Sequence, residues 1–275
     1  MRAENHTPGR APLDAARLRR AAVAPDGLWR EIEVVPSVGS TNADLLARAL
    51  GGEPEGVVLA AEEQTAGRGR MGRSWTSPRY AALTFSLLIR PDVPPARRGW
   101  LPLLTGVVVA AAVTEVIGVE ARLKWPNDVL AGEAKLAGIL AEAAGDAVVV
   151  GIGLNVSTEP DELPGPGPGA LPATSLRVAG ATALDREKLL LAILTGFERW
   201  YQAWRQAGGD PDRSGLRPEY TRLSATIGRT VRAELPGGQA LSGLAAGVDS
   251  DGRLLVRVSP GSEVPVAAAD VVHLR

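Results

Sequence analysis

The sequence predicts an α+β protein with a small β-barrel at its C-terminal end. Predicted strands and helices are mixed along residues 26–222 without the strict alternation of parallel βαβ units. In residues 223–275 the pattern changes to short alternating runs joined by glycine turns such as Asp251-Gly252, which is typical of an SH3-like barrel of about fifty residues. We therefore expect two domains, preceded by a solvated N-terminal helix or tail over residues 1–25.

Bulk composition narrows the class of protein. Acidic and basic residues almost balance, at 31 against 30, so we expect no general attraction to nucleic acid or anionic membranes. The lack of cysteine excludes disulfides, thiolate catalysis and cysteine metal sites. His6 and His273 are the two histidines and lie near opposite ends of the chain, which argues against a histidine triad or a zinc site.

Hydropathy predicts a cytoplasmic protein. The N-terminal residues lack the apolar segment of a signal peptide. No apolar run reaches the roughly 18–20 residues that a membrane span needs, and the apolar residues 105–113 predict a short buried helix.

The first half of the larger domain begins with a strand at 31–35. Ser40 or Thr41 then predicts a helix N-cap, with Asp44 in capping-box register. Apolar residues at helical spacing continue to Leu50, where two glycines end the helix. A second strand follows at 57–61, apolar throughout and therefore buried.

The second half continues with a strand at 80–89 and a helix at 96–117, with Pro102 in its first turns. Three more strands are predicted at 121–124, 137–142 and 148–155. A Pro-Gly-rich loop covers 159–172, and an amphipathic helix covers 185–206. The predicted core face of that helix carries Leu189, Ile193, Phe197, Trp200 and Trp204. Barrel strands are predicted at 231–235, 241–248, 254–258 and 264–266.

A loop with the sequence Gly-Arg-Gly-Arg-Met-Gly-Arg, here called the arginine loop, occupies residues 67–73 after a buried strand. Its glycines allow positive φ angles and close approach to a ligand, and its arginines suit phosphate or carboxylate. Alone, the loop is almost equally consistent with an anion-binding site and with a mobile basic surface, and an RNA-binding segment is a weaker alternative. It is not a Walker A loop, because no Gly-Lys-Ser/Thr follows at the required spacing.

Three further signals are also ambiguous alone. Residues 124–128, Lys-Trp-Pro-Asn-Asp, predict a tight turn that could be structural or could meet a nucleotide and its magnesium. Lys135, before an apolar strand, is either a surface lysine or an anion contact. Residues 151–155, Gly-Ile-Gly-Leu-Asn, end a strand where glycines leave room for a flat ligand or simply allow close backbone packing.

Taken together and in this order, the signals at 40–42, 64–75, 124–128, 135–138 and 151–155 resemble the motifs of biotin–protein ligases. The resemblance runs from about residue 31 to the end of the chain. It implies a catalytic domain similar to class II aminoacyl-tRNA synthetases, followed by an SH3-like domain. It also implies that biotin and MgATP form biotinyl-5′-AMP, and that biotin then passes to a lysine of a biotin carboxyl carrier domain of an acyl-CoA carboxylase.

The resemblance implies roles for particular residues. Biotin contacts are expected from Ser40, Thr41, Asn42, Gln64, Gly67, Arg68, Gly69, Arg70, Lys135 and Gly138. ATP contacts are expected from Arg70, Arg73, Trp75, Lys124, Asn127, Lys135 and Asn155. Catalysis is expected to depend on Lys135, Arg70, Lys124 and Asp128, with magnesium carried by ATP rather than by a dedicated protein site.

Alternatives remain at this point. Lipoate–protein ligases share the fold and the adenylation chemistry, whereas a biotin-sensing DNA regulator and an RNA-binding module belong to other classes. The balanced charge disfavours the last two, and the stretch before residue 31 is too short for a helix-turn-helix domain. We expect a monomer or weak homodimer that binds neither DNA nor membrane.

Overall fold

The structure is a computed structural model that describes residues 10–165, 171–235, 238–259, 261–267 and 269–274. Two features named from the sequence lie partly or wholly outside the described residues. They are His6 and residues 166–170 of the predicted Pro-Gly-rich loop.

The larger domain is built on a seven-stranded mixed sheet. Its strands are β1 (Glu31–Val35), β2 (Val57–Ala61), β3 (Ala82–Ile89), β4 (Ala121–Lys124), β5 (Asp128–Ala131), β6 (Ala134–Ala144) and β7 (Ala147–Asn155). Their order in the sheet is β1-β2-β3-β7-β6-β5-β4. β1 and β2 run parallel, and all other neighbouring strands of this sheet run antiparallel. The predicted α+β class is confirmed.

Helices cover both faces of this sheet. They are α1 (Ala15–Ala22), α2 (Thr41–Leu50), α3 (Trp100–Ala112), α4 (Arg186–Gln206) and α5 (Leu216–Leu223). On one face α3 and α4 pack in a large core with Trp29, Trp100 and Phe197. On the other face Leu45 of α2 covers a smaller core that includes Leu88 and Val149. Among the described residues this face carries one short helix, α2, so much of it stays open.

The alternation of side chains along the strands defines that open area. Leu88 on β3 and Val149 on β7 face α2. Side chains alternate along a strand, so the residues two and four positions away, before Leu88 and after Val149, face the same way. On β3 those positions are Ser86 and Thr84, and on β7 they are Gly151 and Gly153. The apolar part of the face is therefore covered by α2, whereas the polar and glycine part forms the floor of a cavity beside the helix N-terminus.

The C-terminal domain is a five-stranded antiparallel sheet with the order β11-β10-β9-β8-β12. Its strands are β8 (Thr230–Glu234), β9 (Ala240–Val248), β10 (Leu254–Ser259), β11 (Ser262–Val266) and β12 (Asp270–His273). The bulges in β9 and β10 bend the sheet as closure of a small barrel requires. This agrees with the predicted SH3-like domain.

The barrel is fastened to the larger domain by its turn at 249–252. The indole N–H groups of Trp100 and Trp125 donate to the carbonyls of Asp249 and Gly252, both over 3.1 Å. Gly99 and Gly252 pack so closely that a Cβ on either would overlap the backbone of the opposite segment. Trp125, within the Lys-Trp-Pro-Asn-Asp motif and joined to Pro126 by a cis peptide, therefore serves the domain interface.

The described part of the N-terminal segment, residues 10–25, contains the predicted helix and is mostly exposed, but a few of its residues are buried against the larger domain. α1 is helical as expected, but its Leu18 is fully buried. The Arg10 guanidinium is buried and donates to the Ser157 carbonyl and to Glu162. Arg186, at the start of α4, pairs with buried Glu62 at 2.7 Å and also donates to the Ala11 carbonyl. One ion pair, Arg10 with Glu162, and hydrogen bonds from Arg186 and to Glu62 thus bind this segment to the larger domain.

Most predicted elements are confirmed to within a few residues, and the differences have local causes. β3 begins at Ala82 because Tyr80 has a positive φ of 64°. The helix predicted at 96–117 is a 3₁₀ turn at Pro95–Gly99, then α3, then a π-helical turn at Val113–Ile117. On α4 Tyr201 is fully buried together with Phe197 and Trp204, whereas Trp200 of the predicted core face is half-buried. β5, α5 and β12 have no counterpart among the predicted elements.

One stretch of the described chain, Pro95–Ile117, is long and apolar enough to cross a membrane by composition alone. Of its most apolar window, 67% is buried inside the protein, as in the core helix of a soluble protein. The expectation of a buried helix here is confirmed.

Candidate active site

The cavity on the open face of the sheet has a volume of about 280 Å³. Its floor is formed by β3, β6 and β7, and its walls by the N-terminus of α2, the arginine loop, the 124–128 turn and the barrel strand β12. Of the predicted site residues, the following line it: Ser40, Thr41, Asn42, Gln64, Arg68, Gly69, Arg70, Arg73, Trp75, Lys124, Asn127, Asp128, Lys135 and Gly138. The structure therefore brings together motifs that are almost a hundred residues apart in the chain.

The N-terminus of α2 supplies the polar end of the cavity. Ser40 is the N-cap, because its Oγ accepts from the N–H of Ala43. The N–H and hydroxyl of Thr41 both donate to Gln64 Oε1, over 2.7 and 3.1 Å. Two donors on one oxygen fix the orientation of the Gln64 amide and direct its NH₂ group away from Thr41.

The arginine loop is a small hairpin. Trp75 N donates to the Gly67 carbonyl and Gly69 N to the Arg73 carbonyl, while Arg68 and Ser74 form a bridge between them. Positive φ is needed at the tip, where Met71 has 55° and Gly72 has 73°. The prediction that three glycines use positive φ is therefore correct only for Gly72. Gly67 is required for a different reason, since a Cβ there would overlap the Trp75 carbonyl.

Cations converge on the cavity from three chain segments. Lys135 Nζ lies 2.7 Å from Asp128 Oδ1, Arg70 donates to Asn127 Oδ1 over 3.2 Å, and Arg73 pairs with Asp270. Of the described residues that line the cavity, five are cations and three are carboxylates. The excess of positive charge is suited to binding polyanions.

Burial perturbs two of these cations. Removal from water lowers the pKa of the Lys124 ammonium below its usual range, an effect that the nearby Asp128 carboxylate partly opposes. Burial also lowers the pKa of Arg70, although a guanidinium remains charged at any physiological pH. On β12, burial first and the Lys124 charge second lower the pKa of His273 from 6.5 to about 4. The cavity is thus partly dehydrated and positive before any ligand enters.

The glycines of β6 and β7 make room for side chains of this protein. The Trp75 indole packs against Gly138 and Gly153, where a Cβ on Gly153 would overlap its ring. The Asn42 amide lies equally close to Gly151. The space expected for a flat ligand at 151–155 is therefore occupied by an indole and an amide. Among the residues that the structure describes, none accepts a hydrogen bond from the indole N–H of Trp75.

Two predicted site residues stand back from the cavity wall. Asn155 is buried and its Nδ2 donates to the Thr174 carbonyl over 2.9 Å. Gly67 lies at the base of the arginine loop and is not among the lining residues. Neither placement puts the side chain or Cα in direct reach of the cavity, so any part they have in binding acts through their neighbours.

Sequence reasoning missed several residues of this region. Asp270 and Glu234 come from the barrel, Ser86 lies beneath Thr41 on β3, and Glu142 contacts Arg68 from β6. No local pattern identifies them, because each is brought in by strand pairing or by docking of the two domains.

A sheet-floored cavity with excess cations and a docked barrel suits an enzyme that holds two anions side by side, as a ligase does. Sequence comparison agrees. Residues 34–158 match the biotin/lipoate A/B protein ligase family, and residues 226–274 match the biotin protein ligase C-terminal domain. The chain belongs to the biotin/lipoate A/B protein ligase family, so the resemblance found in its motifs is confirmed.

Two relatives illustrate the match. A biotin–[acetyl-CoA-carboxylase] ligase of Mycobacterium tuberculosis is 46% identical, over 97% of this chain and 97% of its own length. A ligase with the same name from Paracoccus denitrificans is 36% identical, over 84% of this chain and 96% of its own.

Solved structures show the same architecture. Biotin protein ligase from Aquifex aeolicus in complex with biotin and ATP aligns with a TM-score of 0.71 and 26% identity, over 90% of this chain and all of that one. Biotin protein ligase from Leishmania major in complex with biotinyl-5-AMP aligns with a TM-score of 0.60 and 25% identity, over 89% of this chain and 100% of that one.

Proposed function

We propose that this chain is a biotin–protein ligase. It joins biotin to ATP as biotinyl-5′-AMP, and it then transfers biotin to one lysine of a biotin carboxyl carrier domain of an acyl-CoA carboxylase. The observation that carries the proposal is the cavity itself, where the cations Arg68, Arg70 and Lys135 surround a floor of amide and hydroxyl groups. The names of the relatives, which act on acetyl-CoA carboxylase, support the choice of carrier.

The first step needs positioning and charge neutralisation rather than a protein nucleophile. A carboxylate oxygen of biotin attacks the α-phosphorus of ATP, the bond to the β-phosphate breaks, and pyrophosphate leaves with the magnesium that ATP brought. Both reactants are anions, so holding them together requires cations that are already in place. Lys135, fixed by Asp128, contacts the biotin carboxylate and the α-phosphate in this proposal.

The remaining residues divide by the end of the cavity that they occupy. The uncharged biotin rings lie over the polar end at the α2 N-terminus, where side-chain amides and hydroxyls offer hydrogen bonds without net charge. The nucleotide lies at the cation-rich end, and the buried indole N–H of Trp75 offers it a donor. Biotin contacts are assigned to Ser40, Thr41, Asn42, Gln64, Arg68, Gly69 and Gly138, and nucleotide contacts to Arg70, Arg73, Trp75, Lys124 and Asn127.

In the second step, the ε-amine of the carrier lysine attacks the acyl carbon of biotinyl-5′-AMP. The bond from that carbon to the AMP oxygen breaks, the amine loses a proton, and an amide forms. Because the cations that held the phosphate stay in place, AMP leaves as a stabilised anion.

A direct assay tests the activity. The protein is incubated with MgATP and either biotin or lipoate, pyrophosphate is measured, and a purified carrier domain is then added and weighed by mass spectrometry. We expect pyrophosphate release with biotin and a carrier heavier by one biotin. Pyrophosphate release with lipoate but not biotin would show that lipoate is the acid substrate. Release with neither acid would reject the proposed adenylation.

The arginine loop is proposed to close over both substrates. Trypsin should cut the ligand-free protein after Arg68, Arg70 or Arg73, and biotin with ATP should protect these bonds. Cutting at the same rate in both states would reject the lid role without affecting the proposed activity.

The remaining assignments are domains at 26–222 and 223–275, a cytoplasmic location, and a monomer or weak homodimer without DNA binding. Gel-shift experiments with and without biotin test DNA binding, and sedimentation tests the oligomeric state. A biotin-dependent DNA shift would point instead to a regulator.

A further inference from the structure

Glu142 lies on β6 beside the cavity, outside every motif that the sequence singled out. It faces the same side of the sheet as Leu140 and Gly138, because these positions alternate along one strand. A single oxygen of its carboxylate, Oε2, lies 2.8 Å from Asn42 Nδ2 and 3.2 Å from Arg68 Nη2. One carboxylate oxygen therefore joins the floor of the cavity to the arginine loop.

The floor contact fixes the orientation of the Asn42 amide. Gly151 pairs with Ser86 on one side and with Leu140 on the other, and the amide lies flat across it. Asn42 Nδ2 donates to the Leu140 carbonyl and to Glu142, while Oδ1 lies 2.6 Å from Ser86 Oγ. A carboxylate and a carbonyl can only accept hydrogen bonds, so Glu142 and the Leu140 carbonyl together oppose a flipped amide. The second lone pair of Oδ1 is then left for an N–H group of the bound acid.

The same contact extends a row of close polar contacts, in which the single Ser86 proton can go either to Thr41 or to Asn42. Gln64 Oε1 accepts from Thr41, whose Oγ1 lies 2.7 Å from Ser86 Oγ. Ser86 leads to Asn42, and Asn42 leads through Glu142 to Arg68. The two ends of this row, Gln64 and Arg68, belong to the segment that enters and forms the arginine loop.

The loop contact is suited to repeated opening. The Arg68 side chain is 46% exposed, and an ion pair that water reaches contributes little to stability. The Asn42 contact is largely buried, since Asn42 is 4% exposed. Glu142 thus has one firm attachment, to the floor, and one weak attachment, to the loop.

We propose that Glu142 is a positioning residue that orients the Asn42 amide for the acid substrate and latches Arg68 over it. This proposal rests on the binding roles assigned above to Asn42 and Arg68. Glu142 does not touch the reacting atoms, so it acts on binding and retention of biotin and of biotinyl-5′-AMP, and leaves the adenylation rate of the filled site almost unchanged.

Replacement of Glu142 by glutamine tests this idea, because glutamine keeps the size but removes the charge that holds both Asn42 Nδ2 and Arg68, and leaves the Leu140 carbonyl as the one acceptor that only the native amide orientation satisfies. In E142Q we expect the KM for biotin to rise about tenfold, as loss of one charge-assisted hydrogen bond predicts. The kcat of adenylation should stay within about twofold, since Lys135 and the nucleotide end are intact. Biotin should also lose most of its protection of the Arg68 bond against trypsin.

The matched control is E120Q, which makes the same change in an exposed ion pair with Arg122, away from the cavity. It should keep the KM and the protection. An unchanged KM in E142Q would overturn the proposal. A fall in kcat and in melting temperature together with the rise in KM would also overturn it, because that would indicate a purely structural role.

R68A and the double variant R68A/E142Q separate this proposal from the assigned role of Arg68. If Glu142 acts partly through Arg68, the double variant raises KM by less than the product of the two single effects. A normal KM in R68A would reject the assigned role of Arg68. An impaired R68A beside a normal E142Q would reject only the role of Glu142.

Discussion

Two groups of charged side chains in this protein are organised in opposite ways. The N-terminal cluster consists of Arg10, Glu62, Glu162 and Arg186, and joins the first described residues to the start of α4. There each guanidinium meets a carboxylate and backbone carbonyls, and Glu62 also accepts from the Leu13 N–H at 2.6 Å. In the cavity, by contrast, cations outnumber carboxylates among the described lining residues.

The difference separates stability from function. Charges that are buried beside an opposite charge hold two segments in one arrangement, and loss of one partner leaves the other costly to keep buried. Charges that are partly buried without enough partners lower stability. They are typical of binding sites, where a ligand supplies the missing opposite charge. Three substitutions and one titration test this contrast, here in order of decreasing expected effect.

Replacement of Arg186 by methionine should be the most damaging. It leaves the Glu62 carboxylate, 5% exposed, without its cation in the core, so the free energy of unfolding should fall by about 3–5 kcal/mol. Urea unfolding measures this loss. The control R222M removes an exposed pair with Glu219 and should cost little, because water screens that pair. Equal losses in the two variants would show that the N-terminal cluster is no stronger than a surface pair.

Replacement of Lys135 by alanine should lower activity strongly and stability very little, the reverse of the Arg186 substitution. We expect biotinyl-5′-AMP formation to fall about 10²-fold or more, because one preorganised cation at the reacting groups is lost. The fold should be little affected, since Asp128 remains beside Lys124. Single-turnover measurement with saturating biotin and ATP tests the rate. K188A, which removes an exposed lysine of α4, serves as the control with wild-type rates, and a normal rate in K135A would exclude Lys135 from the mechanism.

Replacement of Lys124 by methionine should raise stability and lower function at once. Its ammonium is largely removed from water, so an apolar side chain of similar length should increase the free energy of unfolding by about 1 kcal/mol. The KM for ATP should rise, since a cation at the nucleotide end is lost. R122M, on the solvent side of the same strand, should change neither quantity appreciably. If K124M were less stable than the wild type, the charge of Lys124 would be stabilising, as those of the N-terminal cluster are, and the contrast would not hold for it.

The two regions also differ in how far the sequence predicts them. The strands at 31–35 and 57–61 and the Ser40 cap were predicted closely, because apolar runs and capping residues are local signals. The cavity motifs were found because their order along the chain resembles that of biotin–protein ligases. Glu62, Arg186, Glu142 and Asp270 were not predicted, since their partners are 74 to 197 residues away or are met only when strands pair and domains dock. The four-residue strand β5, next to a turn, is too short for periodicity to reveal.

The smallest effect concerns His273, which reports the charge of the cavity from β12. Its pKa is about 4 in the folded protein, against 6.5 for an ordinary histidine, because of burial and then the charges of Lys124 and Arg229, which Glu133 opposes. Since the folded-state pKa is the lower one, the unfolded chain binds the extra proton. The stability that neutral His273 allows is therefore complete above about pH 6.5 and is lost as the pH falls towards 4.

Nuclear magnetic resonance can follow this titration directly, because the chain has only two histidines and an H6Q variant assigns the other signal. We expect the pKa of His273 to rise in K124M, but only part of the way to 6.5, since burial is the larger cause and is unchanged. In R122M it should not move. A His273 pKa that is the same in K124M and the wild type would mean that water and carboxylates already neutralise Lys124, and the contrast between an uncompensated cavity and a compensated N-terminal cluster would then fail at the nucleotide end.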